Sequence, residues 1–435
     1  MNIYIIGLAA ILGLYMAWNV GANDVANSMA DAVGSRSISI RNAIIAAGIC
    51  EFAGAVLVGA HVTNTVRQGI VDPAALVSIP GISTQDAAVI LVIGMSAALL
   101  AAAFWLHLST YLGMPVSTTH SIVGAIAGFG VVAAGWEAVN WMKMGLIVSS
   151  WVISPLAGGI LSYAIFRYIS TAILGQEKPA RAAISHIPYI VFLMTAVVLL
   201  ATIYKGLENV IGRIDLLSGS RGIWISLAGA TLAAVISRFL IGARLHGKEN
   251  GPLGEQLEAV ERMFVPLVVV SSCSVAFAHG ANDVANAVGP MAAIVNVLHT
   301  GSINMKVPVP FWILALGGAG IVLGLSTYGY RVMMTVGTKI TEITPSRGVA
   351  ADLATTTTVL VCSRLSLPVS TTHTLVGAIL GIGLARGLGG IDRRVVVSIF
   401  GSWLFTVPAA AIMSIIFYLI GNVLFFDTLN HLIAS

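Results

Sequence analysis

Along its 435 residues the chain repeatedly offers apolar runs of about 20 residues, the helix length that crosses a hydrocarbon core of about 30 Å. Charges between those runs are sparse. Lys, Arg, Asp and Glu together make 9% of the chain, against about 25% in soluble domains. With 57% hydrophobic residues and a mean hydropathy of +0.94, the chain cannot clothe a water-facing surface. The same figures exclude a disordered chain, and they speak against a cytoplasmic enzyme or a nucleic-acid binder.

The expected fold is an all-α polytopic membrane protein of about twelve transmembrane segments. They lie near 3–31, 42–66, 87–109, 117–135, 144–168, 187–205, 222–241, 264–290, 309–336, 349–364, 369–387 and 396–423. Two of them, 117–135 and 349–364, are short or polar enough to be half-spans or re-entrant pieces. Cys50, Cys273 and Cys362 all sit in apolar stretches, so no disulfide framework is implied. No Lys or Arg precedes Arg36, so the first run lacks the basic start of a cleavable leader and reads as a retained span. Loops after odd-numbered segments hold 15 of the 22 Lys and Arg, and loops after even-numbered segments hold the other 7. That skew places the odd loops in the cytoplasm and both termini outside.

Two motifs occur twice. Gly21-Ala-Asn-Asp-Val-Ala-Asn27 returns unchanged as Gly280 to Asn286, and Pro115-Val-Ser-Thr-Thr-His120 returns as Pro368 to His373. Extended to Gly128 and Gly381, the second pair has 11 identities in 14 positions. Motifs in the same order in both halves mark a duplicated unit. The copies fall in segments 1 and 8 and in segments 4 and 11, each pair seven crossings apart. An odd number of crossings makes the repeats inverted, the architecture of secondary transporters that hold substrate near the membrane midplane. The expected division is a first repeat over 1–170, connecting spans and a short cytoplasmic loop over 171–263, and a second, inverted repeat over 264–435.

The first motif sets a carboxylate and two amides inside an apolar run. Asp24 lies deep in its segment with no Lys or Arg before Arg36, so its ionised form needs a partner. A bound cation supplies one, and Na⁺ favours carboxylate, amide and backbone oxygens. Gly21 would let the helix unwind and aim carbonyls at the ion. Asn23 and Asn27 share a helical face at i, i+4 spacing, as do Asn282 and Asn286 around Asp283. The other reading of these amides is ordinary hydrogen bonding between packed helices.

The second motif has the opposite character. A proline, then Ser117-Thr118-Thr119 or Ser370-Thr371-Thr372, then an apolar run is a helix-start signature. Unpaired N–H groups and partial positive charge at a helix start favour anions, and the hydroxyls add donors. Two such starts meeting at the midplane would surround a tetrahedral oxyanion without any fixed cation. Plain N-capping is the alternative. His120 and His373 could donate to the anion or shuttle protons, but read more simply as structural hydrogen-bond partners. Glu51, about ten residues into segment 2, is a candidate for coupling or gating. Asp31 reads as an end-of-span residue, and Asp352 and Arg364 as interfacial ones.

At these paired motifs the chain resembles the inorganic phosphate transporter (PiT) family, over most of its length. The resemblance implies symport of inorganic phosphate with sodium or protons. It assigns Asn23, Asp24, Asn27, Asn282, Asp283 and Asn286 to the ion and phosphate site, and Ser117 to Thr119 with Ser370 to Thr372 to phosphate. Relatives often carry Glu where this chain has Asp352. The expectation is therefore a secondary symporter, not an enzyme, that moves phosphate with sodium ions as co-substrate by alternating access and has no cofactor. Its partners are phosphate, sodium and the lipid bilayer, and a homodimer is usual for symmetric transporters. Its expected location is the plasma membrane, the inner membrane in a bacterium. Proton-coupled phosphate transport, sulfate transport and an anion channel are the alternatives.

Overall fold

The computed structural model describes residues 3–60, 70–112, 116–203, 220–301, 303, 309–329, 343–365, 367, 369–387 and 393–434. Pro115, Pro368 and the side chain of Asn27 lie outside the described residues. The first repeat comprises α1 (Ile3–Asn23), α2 (Val25–Ser28), α3 (Ala30–Gly34), α4 (Ile40–Val58), α5 (Pro73–Val77), α6 (Thr84–Tyr111), α7 (Thr118–Ala134) and α8 (Trp141–Ile169). Next come α9 (Pro179–Ala201) and α10 (Ser220–Leu245), which pack on each other. The second repeat comprises α11 (Leu253–Thr300), α12 (Phe311–Gly324), α13 (Pro345–Arg364), α14 (Thr371–Arg386) and α15 (Arg393–Ala434). Among the described residues, nine helices are long and apolar enough to cross a membrane. At about 1.5 Å per residue, the 48 residues of α11 reach well past a bilayer core, and its exposed first turns carry Glu255, Glu258 and Arg262.

The repeats are built through one another rather than side by side. Helix α1 packs on α12, and its repeat mate α11 packs on α4, the mate of α12. In the same way α7 and α6 pack on α15, while α14 and α13 pack on α8. Each of these contacts of one repeat thus has its mirrored contact in the other, as a pseudo-two-fold axis requires. The hand of that relation shows where α1 meets α11. Asp24 and Asp283 lie in one cluster, yet Gly13, well before Asp24, faces Met291, which follows Asp283. The two helices therefore run antiparallel, and the repeats are inverted.

Glycine sets how closely these helices approach. A Cβ on Gly21 would lie 1.9 Å from the Ile321 carbonyl oxygen, and one on Gly280, its repeat mate, 2.2 Å from the Glu51 carbonyl oxygen. Both motif glycines therefore serve close packing. The unwinding expected at Gly21 occurs instead at Asp24 and Met29, where the first span breaks into α1, α2 and α3. At Gly280 no unwinding occurs, because α11 runs unbroken through the second copy of the first motif. Of the two segments short or polar enough for half-spans, 349–364 is a continuous 20-residue helix, α13, outside the nine long apolar helices, and its Ser363 reaches Asn282. The short pair is α7 and α14, 17 and 16 residues long.

Substituting Gly377 by Ala puts a Cβ 2.2 Å from the Pro155 carbonyl oxygen at the α8–α14 contact. The expected cost of such overpacking is about 1–3 kcal/mol. Gly401, in α15 with open space beside it, accepts Ala without such a clash. Thermal unfolding of the two variants in detergent should show a lowered midpoint for Gly377→Ala alone.

Candidate functional site

The two hydroxyl motifs form matching helix starts. Ser117 and Ser370 keep extended backbone, with ψ of 122° and 114°, and each side-chain oxygen accepts the backbone N–H three residues on, from His120 and His373, at 3.2 Å. The two serines expected at phosphate thus act as N-caps. Capping leaves Thr118 and Thr119 of α7, and Thr371 and Thr372 of α14, in the first turns with their hydroxyls turned to one shared centre.

That centre holds the two motif aspartates. Asp24 accepts from Thr118 at 2.8 Å on one oxygen and from Thr372 at 2.7 Å on the other. Asp283 accepts from Thr371 at 2.8 Å and from Thr119 at 3.2 Å. Each carboxylate is therefore held by one threonine from each repeat. The Asn286 amide donates to Asp283 at 3.0 Å and to Thr118 and Thr119 at 3.1 and 3.3 Å. Asn282 donates to Asp283 at 3.2 Å and to the Val369 carbonyl at 2.7 Å. Both aspartates and all four threonines are buried. No Lys or Arg ion pair reaches either aspartate among the described residues. The residues expected to hold an ion and those expected to hold an anion thus form a single cluster.

Outside this centre the repeats also match. Asn23 donates to Thr110 at 2.7 Å, and Asn282 accepts from Ser363, the repeat mate of Thr110, at 3.3 Å. The match fails one residue before the second copy of the first motif, where His279 stands in place of Val20. His279 bridges Glu51, at 2.9 Å through Nδ1, and Asp283, at 3.1 Å through Nε2. One ligand atom each from Asp24, His279 and Asp283 lie within 4.8 Å of one another, a spacing a cation can bridge. The sequence reading missed His279, and its signal was the difference between two otherwise repeated strings. Glu51 is buried and joined to the cluster through it.

Two further acids differ from expectation. Asp31 is fully buried rather than at a span end, because the short helix α3 folds it against Gly348 of α13. There it meets Asp352, also fully buried rather than interfacial, which accepts from Ser271 and Ser272 at 2.8 and 2.7 Å. The imidazoles of His120 and His373 point away from the aspartates and stack edge-on, centroids 4.3 Å apart.

The model of the phosphate transporter family matches residues 20–414, which include both copies of both motifs. The chain belongs to that family. A Pyrococcus abyssi chain designated a phosphate permease is 45% identical over 411 residues, covering 94% of this transporter and 96% of that chain. The Arabidopsis thaliana chain named inorganic phosphate transporter 2-1, chloroplastic, is 40% identical over 427 residues, covering 94% of this transporter and 70% of that chain. A solved structure described as the sodium-dependent phosphate transporter superposes with a TM-score of 0.87 at 40% identity, covering 97% of this transporter and all of that chain. The protein is accordingly a multi-pass membrane transporter and not an enzyme.

The N-caps give a direct test of how the transporter holds its central helix starts. Ser370→Ala removes the cap of α14 and should cost about 1 kcal/mol. Ser370→Thr, which keeps the hydroxyl, should recover most of the lost unfolding midpoint in a detergent melt.

Proposed function

We propose that the transporter carries inorganic phosphate together with sodium ions by alternating access. The observation behind this reading is that four threonine hydroxyls from two opposed helix starts all donate to two buried aspartates that pair with no Lys or Arg among the described residues. A threonine has one O–H to donate. While it serves Asp24 or Asp283, it cannot serve an anion. Sodium at the carboxylates would take over that role and free the hydroxyls, together with the helix-start N–H groups, for phosphate. Phosphate at neutral pH brings between one and two negative charges to a site that already holds two carboxylates, so cations and anion stabilise each other's binding. Such coupling is reciprocal. The site ligands in this reading are Asn23, Asp24, Asn27, Asn282, Asp283 and Asn286 for sodium, with Thr118, Thr119, Thr371 and Thr372 for phosphate. Rocking of the interleaved repeats about the shared centre would alternate access. Both termini lie outside in this reading, as the basic-residue skew argues.

One observation favours protons as the coupling ion instead: the buried chain Glu51–His279–Asp283 links α4 to the centre. Phosphate uptake into proteoliposomes, with sodium and pH gradients imposed independently, separates the two readings. A sodium gradient should drive uptake at constant pH; uptake indifferent to sodium but driven by a pH gradient would favour the proton reading, and indifference to both would refute symport. Asp24→Asn should abolish gradient-driven uptake while the unfolding midpoint is kept. Thr372→Val, which removes one donor from Asp24, should weaken the apparent phosphate affinity by about tenfold, read from uptake against phosphate concentration.

A further inference from the structure

Two of the three cysteines, far apart in the chain, meet where the repeats interleave. Cys50 of α4 belongs to the first repeat and Cys273 of α11 to the second, and their thiols hydrogen-bond to each other. The packing around them has the same register. A Cβ on Gly54 would lie 2.0 Å from the Phe277 carbonyl oxygen, so the two backbones touch there. Each cysteine stands one helical turn before that contact, four residues ahead of Gly54 or of Phe277. Further on, Gly59 faces Val284, so α4 and α11 run parallel and the paired positions stay in step. A disulfide needs Cα atoms about 4.4–6.8 Å apart, and helices held in backbone contact one turn away meet that need. Neither cysteine is bridged, and both are half-buried.

Their open side faces lipid. Ile49 and Val270, beside them on the same two helices, are 67% and 50% exposed, and both helices have membrane-spanning character. At about 1.5 Å per residue along unbroken α11, Cys273 lies about 15 Å from Asp283. Counted from a midplane at Asp283, that is half a hydrocarbon core, so the pair sits near the core's edge. A reagent that reaches it must dissolve in the bilayer and keep its polar head at that edge.

We propose that Cys50 and Cys273 form a redox site for a membrane quinone, which oxidises them to a disulfide that joins α4 to α11 as one body and leaves transport running. The ring carbonyls of a quinone seek the polar edge of the bilayer while its tail stays among lipid chains, which matches the position of the pair. One S–S bond forms, the two thiols give up two protons and two electrons, and the quinone takes up both to become the hydroquinone. Glutathione, charged and water-borne, is kept off by the apolar flanks. Transport continues because α4 and α11 already touch backbone to backbone at Gly54, and again where Gly280 meets Glu51, so the bond removes no movement that they make against each other. The effect on transport rests on the alternating-access reading, whereas the site itself does not.

The test uses the full chain in liposomes, with a short-chain ubiquinone in the bilayer and oxidised glutathione in the water as the contrasting oxidant. Quinone treatment should convert the pair to an internal disulfide, read by mass spectrometry of alkylated peptides, and raise the unfolding midpoint. Oxidised glutathione should do neither. Phosphate uptake by the oxidised chain should match that of the reduced chain. Cys50→Ser and Cys273→Ser should each abolish the disulfide and the midpoint shift while keeping uptake, and Cys362→Ser should leave all three intact. No disulfide with quinone, an equal yield with glutathione, or cross-links between chains in place of the internal one would overturn the proposal. So would uptake lost on oxidation and restored by dithiothreitol. A reduced chain that takes up no phosphate would count against the transport reading instead, and disulfide yield and midpoint would still decide the site.

Discussion

A carboxylate taken from water into a membrane interior is costly unless something answers its charge, and this fold carries two such groups within reach of each other. Asp24 and Asp283 sit among apolar helices and are answered by hydroxyls and amides, with the His279 imidazole added at Asp283 and no Lys or Arg pair among the described residues. Neutral donors soften the cost without cancelling the charge. In the proposed reading the centre favours mobile cations, and an anion becomes tolerable only after they arrive. Much of the surrounding architecture brings donors to this point: two capped helix starts, glycine contacts that bring backbones together, and pairing that carries threonines from both repeats to each aspartate.

Interleaving explains why the duplication matters. Two repeats lying side by side would each own a complete half-site. Here each aspartate accepts from α7 and from α14 at once, so neither half-site exists without the other repeat. Relative movement of the repeats must then alter the hydrogen bonds at the centre, which ties large displacement to local chemistry. Paired contacts such as α1 on α12 and α11 on α4 keep the helices in register while that happens.

Much of this was legible in the sequence, because inversion follows from counting crossings between identical motifs, and helix starts follow from Ser-Thr-Thr after proline. Three features were hidden for physical reasons. The burial of Asp31 depends on a break in the first span at Met29, and no composition window reports a break one residue long. His279 escaped because attention to repeated residues passes over the position where the copies differ. The merging of ion-type and anion-type motifs into one cluster is a tertiary fact, and spacing along the chain does not carry it.

The same seven residues adopt two backbone states. Around Asp24 the helix is interrupted twice within a few residues, whereas Asp283 sits inside an unbroken ladder and beside an imidazole that its counterpart lacks. An interruption releases carbonyl oxygens from the ladder, and an intact helix keeps its own engaged. The copies therefore present different ligand sets although their letters agree. In the proposed reading, sites of unequal strength would fill in sequence, and the timetable of loading would be written in helix continuity and in one histidine, and not in the motif that made the two halves look alike.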